Sequence, residues 1–123
     1  MDASSEDRSP SPSAEPVATG QVVDQYAVDG LWVVAAHGDL DLNNLPPLTD
    51  ALTEASASHS TVVLDASGIT FADSSFLNLV LRFHRCTTLR VAAPQAQLLR
   101  LLEITGGDQV LDIRPTLDAA TVS

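Results

Sequence analysis

The stretch "TVVLDAS", residues 61–67, constrains the fold most: it is a short, nearly continuous apolar run between two segments of helical spacing. Such a run belongs to a central strand covered on both faces. The rest of the chain alternates around it. "QVVDQYAVDGLWVVAAHG" (21–38) holds two β-rich runs split by Asp29-Gly30, a hairpin signal. Asn43-Asn44 opens a helix with Pro46-Pro47 in its first turn, where missing N–H groups cost little. Leu48, Leu52 and Ala55 carry its apolar spacing to about residue 57.

Gly68 is expected to end the central strand, and a helix over 74–86 follows. "TTLRVAA" (87–93) reads as a strand, and Pro94 starts a third helix through "QAQLLRLLEIT", which Gly106-Gly107 stops. "QVLDIR" (109–114) is a last short strand and "PTLDAATVS" a terminal helical turn. After the hairpin the order is helix, strand, helix, strand, helix, strand. That order calls for an α/β fold with a mixed, partly parallel β-sheet and helices packed on it. No internal repeat is visible.

The chain of 123 residues supports one domain with a modest core. Residues 1–20 carry almost no large apolar group and read as a flexible N-terminal tail; residues 21–123 form the folded domain. Six basic residues, all Arg, stand against sixteen acidic ones, a net charge of −10. Such a surface repels nucleic acid and anionic lipid, so neither is an expected partner, and it suits a basic protein surface. Cys86 is the only cysteine, which excludes an internal disulfide and a cysteine-built zinc site. The three histidines, His37, His59 and His84, show no metal or general-base spacing. No cofactor and no metal are expected. Without a signal-like segment or a membrane-length apolar run, the expected location is cytoplasmic.

"FADSSFLNLVLRFHR", residues 71–85, places two adjacent serines at the mouth of the 74–86 helix. On a wheel of about 100° per residue, Leu77, Val80, Leu81 and His84 form the stripe that faces the core. Ser75 falls on the outer ridge with Asn78, Leu79, Arg82 and Cys86, and Ser74 sits nearer the cap. Ser75 is then the exposed hydroxyl. Free N–H groups and the helix dipole make it a favourable seat for a phosphate. Ser74 or Asp73 fits the N-cap. The plain alternative is that all three residues only cap and turn the chain.

"VVLDASGITFADSSFLNLVLRFHR" resembles the core motif of STAS domains, specifically the bacterial anti-sigma factor antagonists. There a strand ending in Asp-x-Ser leads through a loop to Asp-Ser-Ser-Gly-Leu and a helix. "VVAAHGDLDLNNLPPLTDAL" resembles the family's apolar strand, Gly-Glu-Leu-Asp and following helix. "PQAQLLRLLEITGGDQVLDIRPTLDAA" resembles its third helix, Thr-Gly turn and final strand. The three segments stand in family order over roughly residues 22–121.

The resemblance implies a partner-switching module. Its partner would be an anti-sigma factor that is a GHKL-type serine kinase; the unphosphorylated antagonist binds that kinase and frees its sigma factor. Phosphorylation of the second serine, here Ser75, breaks the complex, and a separate serine phosphatase restores it. The domain is then a substrate and a binding surface, not an enzyme. By the same resemblance Asp39 and Asp41 of "GDLDL" contact the kinase; otherwise they are solvated turn carboxylates. Asp73 would orient the acceptor hydroxyl or cap the helix. Ser74, Asn78, Leu79 and Arg82 complete the expected partner surface, while solvation is the default account of Arg82 and Arg85.

One departure matters. The family follows its serines with Gly, whereas this chain has Phe76. On the wheel Phe76 and Phe83 share a flank, as an interface anchor or as packing against a neighbouring helix. Two other functions stand as alternatives. A STAS scaffold or sensor would never be phosphorylated at Ser75. An aspartyl-nucleophile phosphotransferase would use Asp39 and Asp41, but the chain holds no Lys and no later paired acidic motif after a strand. A serine hydrolase would need a nucleophile elbow around Ser75, which is missing.

Overall fold

The computed structural model describes residues 22–121. The tail expected over 1–20 lies outside the described residues. Strands β1 (Val22–Val28) and β2 (Leu31–Leu40) form the hairpin, with Asp29 at φ 51° and Gly30 at φ 82°. Two consecutive positive φ angles are what a tight two-residue hairpin turn demands, and Asp-Gly supplies them readily. Helix α1 (Pro46–Ser58), strand β3 (Thr61–Ala72), helix α2 (Ser74–Cys86) and strand β4 (Thr88–Ala92) follow. Helix α3 (Ala96–Thr105), a 3₁₀ turn (Gly107–Gln109), strand β5 (Asp112–Arg114) and the short helix α4 (Leu117–Thr121) complete the chain.

The five strands lie in sequence order, β1 antiparallel to β2 and the remaining pairs parallel. This is the expected mixed sheet. Helices α1, α2 and α3 pack on one face, where Val34, Val62, Leu64 and Leu89 meet Leu48, Leu52, Phe76, Val80, Leu98 and Leu102. On the other face Val33, Val63 and Ala92 meet Ala120 and Leu117 of α4. Val62, Val63 and Leu64 are fully buried, so the apolar run reads correctly as a strand covered on both sides.

Three expectations need correction. Gly68 does not end β3, which continues to Ala72 because β2 continues to Leu40 and supplies ladder partners. Gly68 pairs with His37 in register, and a Cβ there would collide with His37 Nδ1. Its missing side chain makes room for that ring; the strand bulges around it, with register shifts between Ala35 and His37 and between Gly38 and Asp39. The last strand, expected over 109–114, is confined to Asp112–Arg114; Gln109 closes the 3₁₀ turn and residues 110–111 lie between the two. The third helix begins at Ala96, after an extended N-cap at Gln95, and not at Pro94.

Two arginines anchor α4. Arg90 Nη1 donates to the Ala120 carbonyl at 2.9 Å and Arg114 Nη1 to the Ala119 carbonyl at 2.8 Å. Asp112 holds Arg114 through both carboxylate oxygens, at 2.6 and 3.1 Å. The hydrogen bond from Arg114 is the main cause that keeps the Asp112 carboxyl below its usual range.

Candidate functional site

Parallel β2 and β3 end side by side, and both helix starts grow from that end of the sheet. Asp39 pairs with Phe71 and Leu40 with Ala72, after which the Asp73 amide donates to the Leu40 carbonyl at 3.4 Å. The 41–45 turn and the first turn of α2 are thereby brought together.

Asp73 is the N-cap. Its Oδ1 accepts from the Ser75 amide at 2.9 Å and the Phe76 amide at 3.3 Å, with extended backbone at the cap itself. Of the two residues fitted to that role, Asp73 holds it and Ser74 is the first helical residue. Asp73 thus positions Ser75 through its backbone amide.

The wheel needs three corrections. Ser74 is exposed and Ser75 half-buried, the reverse of the expected order. Leu79, placed on the outer ridge, is only 2% exposed. Both changes have one cause: α1 packs beside α2, covering a flank that an isolated wheel leaves open. Phe76 is also 2% exposed and lies in the core, so of its two readings the structure realises packing; Phe83 is half-buried against the same core. His84 and Leu81, assigned to the buried stripe, are half-buried. Asn78, Arg82, Arg85 and Cys86 are exposed.

Between α1 and α2 runs a groove of about 470 Å³. Leu42, Leu45, Pro46, Thr49 and Asp50 form the wall on the α1 side, and Ser75, Asn78, Leu79 and Arg82 the wall on the α2 side. The α2 wall thus holds four of the expected partner residues. The α1 wall was missed, because only packing reveals which face of α1 meets α2. Leu42 was the available signal: an apolar side chain in a polar turn, 71% exposed.

Asp39 and Asp41 lie beside this groove without lining it. Asp39 Oδ1 accepts from Thr70 Oγ1 at 2.7 Å, and its carbonyl accepts from Asn44 Nδ2 at 3.1 Å. Asp41 Oδ1 accepts from the Asn43 amide at 2.9 Å. The Asp41 carboxylate and the Asp39 carbonyl therefore brace the turn that leads into α1, while the Asp39 carboxylate ties the ends of β2 and β3 together. Phe71, paired with Asp39, is 51% exposed on the adjoining strand end. Among the described residues no group of His, Cys, Asp and Glu side chains is placed to hold a metal ion. No helix among them is long and apolar enough to cross a membrane.

Comparison with known proteins agrees with this architecture. An anti-sigma factor antagonist from Mycobacterium paratuberculosis superposes with a TM-score of 0.76 at 28% identity, over 81% of this chain and 90% of that one. An anti-sigma-factor antagonist (STAS) domain protein from Planctomyces limnophilus gives 0.68 at 14% identity, over 78% and 92%. The Bacillus cell fate determinant SpoIIAA in its phosphorylated form gives 0.57 at 16%, over 75% and 90%. The last two share the fold alone. A search of curated proteins gives no match. The family model described as "Mlab, STAS domain" matches residues 26–115, from within β1 to just past β5. The chain belongs to the STAS domain family.

Proposed function

We propose that this chain is an anti-sigma factor antagonist that binds a GHKL-type anti-sigma factor serine kinase, releases its sigma factor and is switched off by phosphorylation at Ser75. The observation that carries this reading is the position of Ser75. It stands two residues after the α2 cap, on the wall of a groove whose exposed rim includes Leu42 and Arg82. A partner seated over Ser74, Ser75, Asn78, Leu79 and Arg82 reaches the hydroxyl, and Asp39, Asp41 and Asp73 border the same end of the sheet. Phe76 shapes this surface from beneath.

In the switching step the kinase transfers the γ-phosphoryl group of ATP to Ser75 Oγ; the P–O bond to ADP breaks and the hydroxyl proton leaves to a base on the kinase. Phosphorylation adds about −1.5 to −2 charges in the contact surface, and a serine phosphatase removes them by hydrolysis. The chain acts as substrate and binding surface, in the cytoplasm, without nucleic acid, membrane or cofactor. The likeness to the mycobacterial antagonist supports this reading.

The second reading is a STAS scaffold or sensor in which Ser75 stays unmodified. Half-burial of Ser75 beside the core residue Phe76 favours it. Affinity co-purification from extract of the source organism, with ATP or ADP, separates the two. Wild-type protein is expected to retain a GHKL-type kinase, to gain phosphate at Ser75, and to lose the partner as Ser75→Asp. Equal recovery by both proteins overturns the switch, and recovery of no such kinase overturns the partner.

A further inference from the structure

The first turn of α2 is less ready for an anion than its position implies. The Ser75 and Phe76 amides already donate to Asp73 Oδ1, and the Leu77 amide donates to the Asp73 carbonyl at 3.2 Å. These amides, which a helix start would offer to a phosphate, are engaged. The Asp73 carboxylate also adds a negative charge beside the hydroxyl. A phosphoryl group on Ser75 needs its counter-charge from elsewhere.

The groove supplies one. Arg82 is the only cation among the residues that line it. Arg90 and Arg114 lie beside Asp112, whereas Arg82 forms no ion pair among the described residues; its guanidinium carbon stands 6.0 Å from the Phe83 ring centre. Seven residues are almost two full helical turns, so Ser75 and Arg82 share a face about 10 Å apart along the axis. A long side chain on a helix leans toward the N-terminus, so the Arg82 guanidinium, which stands beside the Phe83 ring, can swing over the intervening turn to meet a phosphate on Ser75. Asp50, on the opposite wall, repels a phosphate toward the α2 side.

We propose that Arg82 is the counter-ion of a phosphoryl group on Ser75, drawing it into the groove between α1 and α2 and closing that groove over Leu79. The inference rests on Ser75 as the switched residue, and it locates the effect of the switch. The phosphate does not merely charge the surface; with Arg82 it fills the groove that the partner needs.

The test uses the full chain with phosphoserine installed at position 75 during translation, so no kinase is required. The second ionisation of the phosphate is followed by ³¹P NMR at low salt in the wild-type background and in Arg82→Gln, Arg82→Lys and Arg85→Gln. Wild type, Arg82→Lys and Arg85→Gln are expected to ionise about half a pH unit lower than Arg82→Gln, the size expected for one added charge at several ångströms. Equal values for wild type and Arg82→Gln overturn the proposal, as does an equal shift in Arg85→Gln. Both substituted residues, Arg82 and Arg85, are on exposed helix positions, so the substitutions do not put folding at stake. A chain that no kinase phosphorylates would sink the functional reading and leave this measurement intact.

Discussion

The Asp73 carboxylate accepts the Ser75 amide at 2.9 Å, so the residue that precedes the two serines holds the backbone of the second one. The same oxygen also takes the Phe76 amide. One side chain thereby starts the helix, holds the Ser75 backbone and places a carboxylate next to it.

Replacing Asp73 by Ala removes this cap. The loss expected for an N-cap carboxylate is about 1 kcal/mol, with Asp73→Asn or Asp73→Ser retaining most of the stability. Urea unfolding of the three variants measures it. An unchanged midpoint for Asp73→Ala would refute the capping role.

Phe76→Gly restores the residue usual in the family and is expected to damage this protein. Phe76 is 2% exposed in the core. Truncating a buried Phe costs about 3–5 kcal/mol, and glycine inside a helix about 1 kcal/mol more. That is a large part of a small domain's stability, typically about 5–15 kcal/mol. Circular dichroism melting is expected to show a much lowered midpoint; Phe76→Leu is expected to lose far less.

Gly68→Ala tests the contact between β2 and β3. The new Cβ meets the His37 ring and lies 3.1 Å from the Ala36 carbonyl oxygen. Since His37 is half exposed and its ion pair among the described residues is with Asp24 at 3.3 Å, the ring can swing away. We expect a loss of about 1 kcal/mol, the size of a moderate overpacking penalty. His37→Ala in the same chain should recover part of it, and a double-mutant cycle reads this coupling directly. Additive losses would show that the ring is not the obstacle.

The Asp112–Arg114 pair sets an acid limit. The folded state holds the Asp112 carboxyl below its usual range, chiefly through the Arg114 hydrogen bond. The pair's contribution is therefore present above the unfolded value and is lost as pH falls through the folded one. Asp112→Asn should flatten the acid side of the stability profile between those two values, and stability at neutral pH should fall. Arg114→Met removes the hydrogen bond to the Ala119 carbonyl and should loosen α4, visible as faster amide exchange over 117–121.

What could be read without coordinates were the features that short-range chemistry decides. Asp29-Gly30 fits a turn with two positive φ angles, and 61–67 fits a buried strand, because each depends on residues next to one another. The 74–86 helix was legible to the residue, since its apolar spacing and its Asp-Ser-Ser start agree. The three motifs in order were enough to point to the family, which the match over 26–115 then established.

Other features depend on partners distant in sequence. Gly68 looked like a strand end because glycine usually weakens a strand; β2, some thirty residues earlier, holds β3 together past it. Leu79 looked exposed and Ser75 fully open because a wheel knows nothing of α1, which packs alongside and makes their flank one wall of a groove. Local propensity and periodicity were enough for the order of elements, the cap residue class and the serine at the helix start. The depth of Ser75, the place of Phe76 in the core and the groove that Arg82 shares with the serine came from packing between elements. Burial is a property of what packs against a residue, and local sequence does not contain it.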